Sequence, residues 1–135
     1  MIELSFKEVL KGLTDLNIAD VDHVVAIGQG GLVPASIVAY NLNLSLSSIH
    51  INYRDSSNSP RFKEPKLLMP FNLPNEFKKI LLVDDAVVSG KTMLAAKNEL
   101  KDFDVKTMAL IGNADYTVFP EIKSCVKWPW KVSIR

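Results

Sequence analysis

Two acids and a Ser-Gly-Lys-Thr turn share one short stretch, "ILLVDDAVVSGKTM", residues 80–93. Asp84 and Asp85 follow four apolar residues directly, and Ser89, Gly90, Lys91 and Thr92 come a few positions later. A short turn ahead of a helix, with free backbone N–H groups and two hydroxyls beside them, suits an anion such as a phosphate. Adjacent carboxylates repel that anion, so they fit beside it only where they face neutral hydroxyls or a divalent cation. A sugar phosphate with vicinal hydroxyls, bound with Mg²⁺, satisfies both demands. A second tight loop, Gln29-Gly30-Gly31, follows the apolar run "HVVAIG".

Two commoner phosphate motifs are excluded by position. A Walker A loop ends as Gly90, Lys91 and Thr92 do, but Asp85 stands where its first glycine must be. A dinucleotide fingerprint begins as Gly28 and Gly30 do, but Val33 replaces its third glycine.

The elements that must carry these loops are legible from apolar periodicity. Ser5 and Glu8 have capping-box spacing, and Phe6, Val9, Leu10, Leu13 and Leu16 recur at helical intervals, which predicts an amphipathic helix over residues 5–17 covering a sheet. "HVVAIG" suits a strand buried on both faces. "LVPASIVAYNLNL" reads as a helix with Pro34 in its first turn, where the missing N–H costs little. "SIHINY" predicts a second strand, "KILLV" a third, "KTMALIG" a fourth and "SCVKW" a fifth, with "GKTMLAAKNELKDF" a helix between the third and fourth. The alternation implies an α/β domain with a mostly parallel five-stranded sheet flanked by helices. Ligands in such sheets sit beyond the carboxyl ends of the strands, where both unusual loops fall.

Between Arg54 and Lys66 the segment "RDSSNSPRFKEPK" holds little that is apolar except Phe62, which predicts an irregular surface loop. His23 and His50 lie in or beside strands with no third ligand or nucleophile nearby in sequence, and are expected to be structural. Lys91, Lys97 and Lys101 follow helical spacing, with only Lys91 placed to reach a phosphate.

The whole chain sets wider bounds. Its 135 residues and 47% hydrophobic content suit one domain, 1–135, with a substantial core. A formal net charge of +1 argues against a nucleic-acid footprint. The single cysteine, Cys125, cannot form an internal disulfide and is expected to be a small buried hydrophobe. No basic and apolar leader opens the chain, and no stretch approaches a membrane span, so the expected setting is the cytoplasm with no membrane partner.

"ILLVDDAVVSGKTM" resembles the signature by which type I phosphoribosyltransferases bind 5-phosphoribosyl 1-pyrophosphate (PRPP). "VVAIGQGGLVPASIVAYNL" resembles their pyrophosphate loop and following helix, nearest the bacterial xanthine-guanine and hypoxanthine enzymes, and the likeness is good over residues 22–112. The resemblance implies that Asp84 and Asp85 are catalytic, holding the ribose hydroxyls directly or through Mg²⁺. It implies that Val88, Ser89, Gly90, Lys91 and Thr92 cradle the 5′-phosphate, and that Gln29, Gly30 and Gly31 meet the pyrophosphate. A lid over about residues 54–67 would carry Arg54, Arg61 and Lys63, with Tyr53 just before it, and a small C-terminal hood would span about 113–135. Asn113, Val126 and Trp128 would lie at the base, and Trp130 offers a second aromatic face. The implied partners are PRPP and a small heterocyclic acceptor, with Mg²⁺ as cofactor and a homodimer as the assembly.

The chain departs from this pattern at named positions. Val88 stands where purine enzymes place an aspartate near the ring, and a valine cannot move a proton. Gln29 replaces a cationic residue and can donate hydrogen bonds without neutralising charge. Asn113 and Cys125 stand where a lysine and an aromatic read the base. Two functions follow: transfer of phosphoribose to a nucleobase, or sensing of PRPP or a nucleotide without efficient turnover.

Overall fold

In the computed structural model the described residues are 1–52 and 64–131. The chain opens with β1 (Ile2–Glu3) and α1 (Phe6–Asp15), then β2 (His23–Gly28), α2 (Leu32–Leu42) and β3 (Leu46–Asn52). After the segment left undescribed come β4 (Lys66–Leu67), β5 (Lys79–Val87), α3 (Lys91–Glu99), β6 (Asp104–Gly112), β7 (Tyr116–Thr117) and β8 (Val126–Lys127). Ser5 caps α1 as its spacing predicts: its Oγ accepts from the Glu8 N–H at 3.0 Å, and Glu8 Oε1 accepts from the Ser5 N–H at 3.1 Å.

One sheet of six strands has the order β4-β3-β2-β5-β6-β7. All its pairings are parallel except β3 with β4. The fold class is therefore as expected, with a larger sheet than the five strands read from sequence. The additions are β4 and β7, two-residue edge strands too short to show a period. The predicted fifth strand, "SCVKW", is corrected: its ordered part, β8, pairs with β1 in a separate two-stranded sheet.

Strand alternation divides the core. Val24, Ala26, Leu81, Val83, Met108 and Leu110 face α1 and α2. Val25, Ile27, Ile49, Ile51, Ile80 and Leu82 face α3. Both faces of β2 and β5 are thus covered, the usual fate of central parallel strands.

Both ends of the chain build the hood, where sequence assigned it to the C-terminal segment alone. Trp128, 3% exposed, is buried with Val9 and Leu13 of α1 in the core on that face. Trp130 stacks on Trp128 at 5.5 Å and meets Phe6 edge-on at 6.5 Å. Cys125 is exposed, correcting the expected burial, because it lies just before β8 in an irregular run that borders the cleft rather than in a core strand. His23 is buried and structural, as expected. Its ring nitrogens pair with Ser45 Oγ and Ser47 Oγ, both at 2.7 Å, and its ring stacks on Phe77 at 4.0 Å.

Two outcomes follow. Burial holds the His23 imidazole below its ordinary pKa, against the opposing pull of Asp22. The unfolded chain therefore binds the extra proton first, so this contribution to stability is complete above about pH 6.5 and is lost as pH falls below it. Thermal melts should show a falling midpoint in that window, and the fall should shrink in His23→Gln. Trp128→Ala should cost about 3–5 kcal/mol of unfolding free energy in a urea titration, the usual loss for a buried Trp truncated to Ala.

Candidate functional site

β2 and β5 are neighbours in the sheet, yet the segments that follow them leave in opposite directions. After β2 the chain turns onto the α1/α2 face, whereas after β5 it turns onto the α3 face. The crevice between such strand ends is where open α/β sheets bind ligands. Here it opens into a cleft of about 1730 Å³, roofed by the hood, with Gln29, Gly30, Asp84, Asp85, Ser89 and Thr92 among the residues that line it.

β5 supplies the floor. Sequence placed the two acids in a loop after "KILLV", but β5 continues through them to Val87, because β6 stays in register with it from Asp84↔Ala109 to Val87↔Gly112. Alternation then sends Asp85 toward the α2 and hood face and Asp84 toward the α3 face. Asp84 Oδ1 accepts from the Asp85 N–H at 2.8 Å, and Asp85 Oδ1 accepts from the Ala86 N–H at 2.7 Å. Both residues are only 9% exposed. Burial, and then the neighbouring Asp85 charge, push the Asp84 carboxyl well above the ordinary carboxylate range, with Lys131 pulling the other way. Such a pair favours a cation or hydroxyl donors. Among the described residues no group of three or more His, Cys, Asp or Glu could hold a metal. Two carboxylates fit Mg²⁺ arriving with a phosphorylated ligand, because that ion commonly takes one or two carboxylates and completes its shell with water and phosphate oxygens.

The Ser89-Gly90 turn lies on the α3 side. Gly90 has φ 84°, a left-handed conformation that side chains disfavour, and it caps α3. Ser89 Oγ accepts from the Lys91 N–H at 3.3 Å. Gly90, Ser89, Thr92 and Val88 line the cleft, and Val88 is 76% exposed there. Lys91 opens α3 but is not part of the cleft lining.

The glycine loop lies across from Asp85. A Cβ at Gly30 would stand 2.7 Å from both Asp85 carboxylate oxygens, so the missing side chain is what lets loop and acid meet. Gly31 is buried and lies outside the cleft lining, its N–H donating to Ile27 O at 2.8 Å. It belongs to the packing of α2 on β5, whereas Gln29 and Gly30 face the ligand space.

The hood brings Asn113, Cys125, Val126, Trp128 and Trp130 to the same cleft. Trp128 does so from the core, leaving little of its ring exposed. Tyr53, Arg54, Arg61 and Lys63 lie outside the described residues; of the expected lid, Lys66 and Leu67 form edge strand β4. Sequence reasoning missed Lys131, whose Nζ lies 3.4 Å from Asp85 Oδ2. Nothing local singles out this lysine beyond its place after "WPW".

A model of the phosphoribosyl transferase domain matches residues 7–134. Among solved structures, the chain is similar to the purine phosphoribosyltransferase from Pyrococcus horikoshii Ot3, with a TM-score of 0.79 and 21% identity over 99% of this chain and 95% of that one. It is similar to a hypothetical protein from Neisseria gonorrhoeae with bound ppGpp, with a TM-score of 0.75 and 24% identity over 97% and 89%. A third is the Helicobacter pylori xanthine-guanine-hypoxanthine phosphoribosyltransferase, with a TM-score of 0.73 and 15% identity over 96% and 90%. At these identities the structural likenesses show the fold, while the family match spans nearly the whole chain. With the acid pair, the Gly90 turn and the Gln29-Gly30 loop gathered at one crevice, the chain belongs to the phosphoribosyl transferase domain family.

Proposed function

We propose that this protein transfers the 5-phosphoribosyl group of PRPP to a nucleobase of the purine class, with release of pyrophosphate. The observation that carries this reading is the meeting of Asp84 and Asp85 with the Gly90 turn and the Gln29-Gly30 loop in one cleft. The backbone of the turn and the Ser89 and Thr92 hydroxyls would hold the 5′-phosphate at the start of α3. Asp84 and Asp85 would take the ribose hydroxyls, fixing C1 over the floor. Gln29 and the Gly30 backbone would donate to the pyrophosphate.

In the step itself a base nitrogen bonds to C1 as the C1–O bond to pyrophosphate breaks, and the nitrogen's proton leaves to solvent. Asp84 and Asp85 would hold Mg²⁺ with the ligand's own oxygens, and the ion would supply positive charge against the pyrophosphate leaving group. The chain's own contribution is positioning and exclusion of water under the hood, which suits a transition state with oxocarbenium character. A homodimer in the cytoplasm remains the assembly and setting expected for this reading.

A second reading has its own observation. Val88, exposed at the edge of the cleft, offers no proton acceptor to a base, and Gln29 offers no charge. A module that binds PRPP or a nucleotide without efficient turnover meets both facts, and the Neisseria gonorrhoeae protein of the same fold is described with ppGpp bound.

Incubation with PRPP and Mg²⁺ against hypoxanthine, guanine, xanthine, adenine, uracil and orotate should release pyrophosphate with at least one base. Tight binding of PRPP with no release across that panel would select the sensing module; absence of PRPP binding would remove the transferase and the PRPP sensor and leave only a nucleotide-binding module. Asp84→Asn with Asp85→Asn should weaken Mg²⁺-dependent PRPP binding by about tenfold or more in calorimetry, the scale of one lost charge-assisted contact. The melting temperature of that double variant should hold or rise, because asparagine keeps the Oδ1 acceptors and removes a repelling buried pair.

A further inference from the structure

The floor of the cleft has a cation of its own. Lys131 reaches from the hood to Asp85 Oδ2, spanning the space a ligand would enter. The acid's side chain is only 12% exposed and the lysine's is 60% exposed, so a solvated ammonium meets a nearly buried carboxylate. Asp85 Oδ1 is already engaged by the Ala86 N–H, which leaves Oδ2 as the oxygen open to a positive charge. At 3.4 Å the contact is longer than the roughly 2.7–2.9 Å of a tight charge-assisted hydrogen bond. It is an ion pair loose enough to be exchanged.

A lysine ammonium and a divalent ion make the same demand on a carboxylate, and one oxygen cannot satisfy both at close range. We propose that Lys131 is the resident counter-ion of the acid pair, a residue that competes with a divalent metal for Asp85 Oδ2 and gives way when the metal enters. This rests on the reading of Asp84 and Asp85 as the metal and ribose site. Lys131 thereby sets how readily the cleft accepts metal without its sugar pyrophosphate. Once displaced, its charge is free to meet the anion that arrives with the metal. Because Lys131 directly follows Trp130, which stacks on Trp128, exchange at the floor also releases the hood's hold on it.

The competition is read with Mn²⁺ alone, titrated into the protein while the free-ion paramagnetic resonance signal is followed. Lys131→Met keeps most of the aliphatic stem and removes the charge, and it should bind Mn²⁺ about two- to fivefold more tightly than wild type, the scale of a partly exposed ion pair. Lys131→Arg should stay at the wild-type value. Equal affinity of Lys131→Met and wild type, a shift in Lys131→Arg as large as that in Lys131→Met, or no Mn²⁺ binding by any form overturns the proposal. Calorimetric titration of wild type with PRPP at saturating Mg²⁺ keeps the two readings apart. PRPP binding without a Lys131 effect removes this inference and leaves the functional one standing, whereas a Lys131 effect without PRPP binding supports the competition and removes the sugar pyrophosphate.

Discussion

Two carboxylates at the end of a strand buried on both faces are the constraint around which this molecule is arranged. Asp84 and Asp85 belong to β5 itself, so they inherit its rigidity and share its burial. Two such charges are costly to bury side by side, and the structure meets that cost in three ways. Each accepts a backbone N–H from the residue that follows it, burial and the Asp85 charge raise the pKa of Asp84, and Lys131 stands against Asp85. All three are interactions that a cation or a hydroxyl-bearing ligand can improve on. The burial that makes the pair expensive is also what makes it receptive.

The sheet's topology turns that pair into a site. Because β5 alternates, Asp85 points toward the glycine loop and the hood, while Asp84 points toward the phosphate turn and α3. Because β2 and β5 are adjacent and their connections diverge, no helix among the described residues closes over the crevice between them. Gly30 keeps the approach to Asp85 clear, and the left-handed Gly90 lets the backbone turn directly into α3.

What the sequence disclosed and what it withheld differ in kind. Buried strands and amphipathic helices announce themselves locally, which is why β2, α2 and the heart of β5 stand where their apolar runs put them. The Asp-Asp and Ser-Gly-Lys-Thr spacing is chemically specific enough to indicate a ligand before any fold is known. The extension of β5 through the acids was hidden, because two charges after an apolar run look like a strand's end and only β6 in register carries the strand on. The partner of β8 was hidden as well, since β1 is two residues long and lies at the far end of the chain. The pairing of Lys131 with Asp85 left no trace, because a lysine near a terminus is ordinarily a solvated charge. Val88 was legible as a departure, and it stands exposed in the cleft.

The pairing of β1 with β8 joins residue 2 to residue 126, so the roof of the cleft closes the widest loop among the strand pairings of the described residues. Closing a wide loop carries an entropic cost that only a short ladder and the tryptophan packing repay. The roof is therefore a late contact in the order of assembly and an early one to open, while the floor on β5 sits in the most protected part of the sheet. Recognition in this protein thus joins a floor held on both faces by the sheet to a roof held by a two-residue ladder, closed where β1 meets β8.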